Sequence, residues 1–588
     1  MWQFIVARLA NLYDARVISQ NADFVRRPRL LWLALGLVLV GAVLNVYFLF
    51  SNCPLDLAED ESHYWLWAQH LDYGYYSKPA GIAWVMYAAQ RVAEFFGYWH
   101  IDHGMPALRL ASIVFGLGSG LLSALLASRI WRDDRAAIAV IALSAGVPMF
   151  AVGSLLITID APMYFCWAAA VYCLWRRVES PSKPHWLYTA AFFIGLGMLF
   201  KPVLIAIPLC LLLAMRFDAT IRAAFNNRHA LFGSLLILLM QTPVVIWNYA
   251  HDWVTFRHIG TQGGLKGLES GHGSSGPWYK GLARMAEYLG GQAGGMGGII
   301  FVLLVIAIVW AVRETRNAKL KTQNDPTRTR GVFLLAFALP LWLFYFFLNL
   351  VAGTQPNWPA TSYFAAMILM AGWVVHFWPQ DRGFRFWIIG TILFGVLAGS
   401  FMKNTQLLYP TAAAKLEPKR GTPAYFNNAW HPRRWDLSAR IRGLEERGQV
   451  IARLAAQMKE QTGREPLIAA TRWDDASSIQ YYLPGRPFVF SIMSAIGGRE
   501  SQYDIWPGLD QRTSGQLVHA GRDVLIIGDI PPAALEQVVT PAFDRLDAAE
   551  RVGVEYHGLV LRELTVRRAY GFKGWPNATP TATTQGAH

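Results

Sequence analysis

Eleven stretches of this chain are apolar enough, and about long enough, to cross a bilayer, which takes about 20 residues as a helix. They begin at about Leu30–Phe50, Pro106–Ile130, Ala136–Gly153, Leu155–Trp175, Trp186–Phe200 and Pro202–Met215. They continue at Ala230–Tyr249, Tyr288–Val312, Val332–Val351, Pro359–Trp378 and Phe386–Met402. Inside hydrocarbon every backbone N–H and C=O must find a partner within the protein, so such runs can only be helices packed on helices. The fold class expected is therefore a polytopic α-helical membrane protein. The two short runs around Lys201-Pro202 read as a helical hairpin, because a proline breaks the helix and lets two spans meet at a surface. Charge supports this class: only 16% of residues are charged, below the roughly one quarter usual in soluble domains.

Basic residues of short loops orient such a bundle. With the N-terminus inside, the inner loops hold 22 arginines and lysines and the outer ones, up to the tail, hold 8. The net charge of +14 thus reports membrane orientation, and nucleic acid is not an expected partner. Residues 1–28 read as an amphipathic, arginine-containing interfacial helix. The four cysteines form no spaced framework, and three of them fall within apolar runs.

Every chemically suggestive element falls on the outer face. Residues 1–403 form the membrane domain, with outer loops at 51–105 and 250–287. Residues 404–575 read as an α/β domain on that side, with an amphipathic helix over Leu437–Thr462 followed by strands in "PLIAATR" and "DVLIIGD". Residues 576–588 read as a disordered tail. The glycine-rich stretch Gly260–Gly276 reads as a flexible outer loop, a lid over a site. It lacks the strand and the Gly-Lys-Ser/Thr of a phosphate-binding P-loop.

The first outer loop, "EDESHYWLWAQHLDYGYYSKP", carries carboxylates, aromatics and Lys78. For Tyr64, Trp65 and Trp67 the simpler reading is an aromatic belt in the headgroup layer. For Asp60 and Glu61 it is a solvated helix start. Asp160, in "LITIDAPMYFCW", stands inside an apolar run, where an ionisable group is costly and faces a partner or a cavity. It also suits a helix cap before Ala161-Pro162. Lys201 at the hairpin tip can snorkel or reach a lipid phosphate, and Arg109, Arg257 and His258 could join it. Cations beside carboxylates at one membrane face suit an anionic lipid whose neighbouring bond is attacked.

Several stretches in order resemble a known family. They are the loop just quoted, "RLASIVFG", "ITIDAPMYF", "GLGMLFKP", "TPVVIWNYAHDWVTFRH", "YLGGQAGG" and "QPNWPATSY", with "IQYYLPGRP" and "RESQYDIW" in the tail. Together they resemble bacterial GT-C glycosyltransferases of the family 39 type, relatives of protein O-mannosyltransferases and of the lipid A aminoarabinose transferase. The resemblance implies an inverting transfer of a sugar from a polyprenyl-phosphate donor to an acceptor at the periplasmic face of the bacterial inner membrane, with a multi-pass chain and a periplasmic C-terminal domain. It implies Asp60 as the general base or the carboxylate that orients the acceptor, with Glu61 beside it. Asp160 would be a second acidic position, orienting the acceptor or a divalent cation; no other cofactor is implied. Lys78, Lys201 and Arg257 would hold the donor phosphate, with Arg109 and His258 near them. Partners are then the lipid-linked sugar, a glycolipid or glycan acceptor and the bilayer. Ser77 stands where the aminoarabinose transferases have Glu before Lys-Pro, and Ile159 where a proline is common, so the sugar stays unnamed. A lipid A or lipopolysaccharide acceptor is favoured over a protein because the chain lacks extended sugar-binding inserts. A flippase for lipid-linked sugar is the rival class, but the chain shows no internal repeat.

Overall fold

In a computed structural model the chain is described over residues 27–51, 53–262, 278–321, 325–422 and 424–576. The expected interfacial helix before residue 27, nearly all of the glycine-rich stretch and nearly all of the tail lie outside the described residues. All eleven apolar runs are helical, with breaks where the chemistry demands them. Among the described residues, five helices are long and apolar enough to cross a membrane: Pro28–Phe50, Ile101–Trp131, Arg228–Ala250, Pro326–Leu348 and Arg382–Lys403. The run expected at Tyr288–Val312 is not one straight helix. It divides into Trp278–Met296 and Ile299–Lys321, bent by 104°. Gly297 and Gly298 make that corner with φ of 81° and 57°, a backbone region that favours glycine. Pro148, whose nitrogen has no proton to donate, starts a separate helix and cuts Arg135–Ala145 short.

The helical hairpin is present as His185–Met198 and Ala206–Phe217, joined by a tight turn over Pro202–Ile205. Helices pack closely where small residues allow it. Trp131 lies against Gly372, where a Cβ would come within 2.0 Å of the indole, and the ring N–H donates to the Ile368 carbonyl at 2.8 Å.

The C-terminal portion is a sheet with helices packed on it. Its strands are β1 (Leu467–Ala470), β2 (Val489–Ser491), the small hairpin β3 (Arg512–Thr513) and β4 (Gln516–Leu517), then β5 (Val524–Ile527), β6 (Phe543–Leu546), β7 (Glu550–Tyr556) and β8 (Leu559–Phe572). The sheet order is β2-β1-β5-β8-β6, with β7 paired to β8. The two strands expected from sequence, β1 and β5, lie side by side in parallel, with Ala469 opposite Ile526. The expected helix over Leu437–Thr462 is interrupted. A short turn spans Leu437–Ile441, and the α-helix starts at Leu444 after Gly443, whose φ is 71°.

The aromatics of the first outer loop do not form a headgroup belt. Trp65 is 3% exposed and Trp67 fully buried. Trp65 meets Tyr481 edge-on at 5.0 Å, and His63 lies 4.6 Å from Trp473. Helix Trp473–Tyr482 of the C-terminal domain covers this face, so loop and domain share one core. Arg442 fastens the join. It is fully buried and donates to the Pro54 and Lys403 carbonyls at 2.8 and 3.1 Å and to the Thr405 hydroxyl at 3.1 Å, with Asp436 at 3.8 Å. Removing one member of a buried charged network costs about 3–5 kcal/mol. Arg442→Met is therefore expected to lower the melting temperature of the detergent-purified protein sharply, and a melt unchanged from wild type would show that this join carries little of the stability.

Candidate functional site

Helix Glu59–Gln69 begins with three acidic residues, which the positive end of its dipole favours. They do not share one role. Glu61 turns inward and is fully buried against Arg109, which is also fully buried. Arg109 donates to both carboxylate oxygens at 3.0 and 2.7 Å and, with its remaining hydrogens, to the Leu55 and Asp56 carbonyls at 2.6 Å each. Glu61 also accepts from the Ala58 and Ile157 N–H groups at 2.9 and 2.7 Å. All of this pair's strong bonding capacity is used inside the protein. Glu61 as a catalytic carboxylate and Arg109 as a phosphate ligand are thus corrected: the two clamp the outer loop to the long helix and to the segment before Asp160.

Asp60, the adjacent residue, faces the other way. Its side chain reaches solvent yet is crowded by protein atoms. Those surroundings raise its pKa above the ordinary carboxylate range. Glu59 adds to the rise, while Lys78 and Arg440 pull against it. Burial, and after it the charges of Asp60 and Asp160, hold the phenol of Tyr64, one turn on, well above the usual value.

Asp160 is the first residue of helix Asp160–Glu179 and makes no side-chain cap. Its carboxylate points across the bundle instead. Lys201 bonds one oxygen at 2.8 Å, and Asn357 donates to the other at 2.7 Å. Asn357 sits in the turn before helix Ser362–Phe377, steadied by Gln292, which donates to the Pro356 carbonyl at 2.9 Å and accepts from Tyr363 at 2.6 Å. Lys78 arrives from the other side. Its segment is held to the hairpin because Gly81 N–H donates to the Leu199 carbonyl at 2.9 Å, and a Cβ on Gly81 would lie 2.7 Å from that oxygen. Among the described residues the Lys78 ammonium has no hydrogen-bond or ion-pair partner. Burial and the charge of Lys201 push its pKa down, while Asp60 and Asp160 pull it up.

His258 lies beside this group, 5.2 Å from Tyr76. Burial, Lys78 and Arg499 push it down to about 4, so at neutral pH it is an uncharged imidazole and not a member of a cationic ring. Arg257 is exposed on the same helix, and its charge bears on Tyr76. Arg499, from the C-terminal domain, acts on both Lys78 and His258 and stacks over Trp473 at 5.0 Å. Its segment, "RESQYDIW", carries no signal of its own that ties it to the loop of Lys78, more than 400 residues earlier. The structure thus gathers Asp60, Lys78, Asp160, Lys201 and His258, adds Asn357 and Arg499, and removes Glu61 and Arg109. Among the described residues no three His, Cys, Asp or Glu side chains converge as a cation cage. With both Asp160 oxygens engaged by donors, the residues present do not fit a divalent cation.

The fold as a whole is shared with solved membrane enzymes. The structure resembles ArnT from Cupriavidus metallidurans bound to undecaprenyl phosphate, with a TM-score of 0.50 over 90% of this chain and 98% of that one, at 16% identity. The family model described as dolichyl-phosphate-mannose-protein mannosyltransferase matches residues 77–247. The lipid A galacturonosyltransferase RgtD of Rhizobium johnstonii is 27% identical over 393 residues, 65% of this chain and 74% of its own. The undecaprenyl phosphate-alpha-4-amino-4-deoxy-L-arabinose arabinosyl transferase of Pseudomonas aeruginosa is 29% identical over 154 residues, 24% of this chain and 27% of its own.

The Glu61–Arg109 clamp makes a distinct prediction. Glu61→Gln leaves a buried guanidinium uncompensated, at a cost of about 3–5 kcal/mol. Yield and melting temperature should fall, while turnover per folded molecule falls only modestly as the loop that carries Asp60 loosens. Full stability with lost turnover would return Glu61 to the chemistry.

Proposed function

We propose that the protein is an inverting glycosyltransferase that moves a sugar from a polyprenyl-phosphate donor to a lipid A or lipopolysaccharide acceptor. The observation that carries this is the Lys78 ammonium, which has no hydrogen-bond or ion-pair partner among the described residues. Asp160 already neutralises Lys201, so Lys78 is the cation left for an anion, and a lipid phosphate at headgroup depth supplies one. The likeness to RgtD over most of its length supports the acceptor class. The chain crosses the bacterial inner membrane about eleven times, with loop 51–105 and the C-terminal domain on the periplasmic side.

The chemistry follows from the placement. The acceptor hydroxyl oxygen forms a bond to the anomeric carbon as the bond from that carbon to the phosphate oxygen breaks. Its proton passes to Asp60, and the electron pair leaves with the polyprenyl phosphate, whose growing charge Lys78 and Lys201 stabilise. Attack from the side opposite the phosphate inverts the configuration. Asp160 keeps Lys201 in place, and Arg499 brings the C-terminal domain to the donor side.

Asp60→Asn keeps the shape but removes the basic oxygen, and loss of a general base costs roughly a hundred- to ten-thousandfold in rate. A proton acceptor must be ionised, so transfer should fall as pH drops through Asp60's raised pKa. Glu59→Gln removes the negative neighbour that helps raise it, and the acid limb should move to lower pH. Near-normal turnover in Asp60→Asn, or an acid limb unmoved in Glu59→Gln, would take the base role from Asp60.

The two lysines should separate. Lys78→Ala removes only a free cation, and a charge-assisted hydrogen bond is worth about 1.5–3 kcal/mol, roughly ten- to a hundredfold in undecaprenyl phosphate affinity. Lys201→Ala should also lower the melting temperature, because it deprives Asp160 of its ion pair. Equal affinity for undecaprenyl phosphate in wild type and Lys78→Ala would remove the phosphate role.

A further inference from the structure

A cavity of about 650 Å³ opens where the parallel strands β1 and β5 end. Thr471 follows the one and Gly528 the other, the place where open parallel sheets bind ligands. Five arginines line it: Arg433, Arg440, Arg447, Arg472 and Arg562. Most of its carboxylates are already engaged. Asp474 pairs with Arg472, Asp475 with Arg447, and Glu563 with Arg551, while Asp529 accepts from Thr565. Arg562 donates to the Arg440 and Arg442 carbonyls, but Arg433, Arg440 and Arg447 are not fully engaged. Arg447 is only 3% exposed, yet its Nε and one terminal nitrogen have no hydrogen-bond partner among the described residues. Arg433 and Arg440 have exposed side chains without an ion pair there. Arg562 is held below the usual arginine range by burial and by the charges of Arg447 and Arg433.

Buried guanidinium hydrogens without acceptors are costly, and a planar fork of donors matches a phosphate better than any other common group. The cavity's position says whose phosphate it is. Glu59 lines it, and both Arg440 and Asp474 act on the charge of Asp60. It therefore adjoins Asp60, whereas Lys201, which presses on Lys78, is absent from its wall. We propose that this arginine cavity binds a phosphomonoester of the acceptor glycolipid, so that one anionic anchor fixes which hydroxyl reaches Asp60. This rests on the transferase reading above and adds the acceptor's anchor to it.

The test uses the full-length protein in detergent and three probes: lipid A carrying its phosphates, the same lipid A after phosphatase treatment, and undecaprenyl phosphate. Wild type should bind phosphorylated lipid A about ten- to a hundredfold more tightly than the treated lipid. Arg433→Gln/Arg440→Gln, whose side chains are exposed, should lose most of that preference and keep undecaprenyl phosphate affinity. Arg447→Gln should do the same if its melting temperature stays near wild type, and inorganic phosphate should weaken lipid A binding in wild type but not in the double variant. A preference unchanged in the double variant overturns the cavity assignment. So does a loss of undecaprenyl phosphate affinity in that variant, which would give the cavity to the donor. Wild type that binds no undecaprenyl phosphate would instead sink the transferase reading beneath it.

Discussion

The buried ion pair between Glu61 and Arg109 is the contact on which the geometry of this protein depends. Desolvating two charges is expensive, and it is tolerated here because every strong bond of both groups is satisfied. Through it a loop that would otherwise wander at the surface is fixed at three points. Arg109 grips the Leu55 and Asp56 carbonyls, and Glu61 grips the Ile157 N–H three residues before Asp160. The Asp56 carboxylate in turn accepts from Leu444 N–H at 2.7 Å, where the helix of the C-terminal domain starts. Its burial beside Glu445 and Glu446 pushes its own pKa up to about 7. Membrane bundle, outer loop and soluble domain thus meet in one network, and Asp60 is placed by its neighbour.

That division of labour between adjacent acidic residues explains what could and could not be read from sequence. Asp60 and Glu61 are chemically similar and both lie in the first turn of a helix, so pattern alone offers no reason to send one inward. Only the partner decides, and Arg109 lies 48 residues away. The helical runs were legible because the bilayer imposes length and apolarity on each of them separately. The hairpin at Lys201-Pro202 and the strands β1 and β5 were legible for the same local reason. The 104° corner at Gly297-Gly298 was written in the sequence as two glycines within an apolar run, a signal that counting hydrophobic length passes over.

The aromatic residues of the first loop teach a related lesson. Tyr64, Trp65 and Trp67 have the composition of a membrane-surface belt, and a sequence offers no way to tell lipid from a protein partner as the covering layer. Here the layer is helix Trp473–Tyr482, supplied more than 400 residues later. Asn357 and Arg499 were missed similarly. Their side chains are unremarkable in their own segments and acquire meaning only when the chain folds them toward Asp160 and Lys78.

The bond pattern around Asp160 bears on how the molecule comes to exist. Its two oxygens are held by residues 41 and 197 positions further along the chain, and Arg499 is contributed later still. A polypeptide emerging from the ribosome inserts Asp160 long before it makes Asn357. During that interval the carboxylate can find Lys201 alone, which neutralises it within the apolar bundle but leaves the pocket unshaped. The shape of this site is therefore a property of the complete chain, not of the helices that are made first.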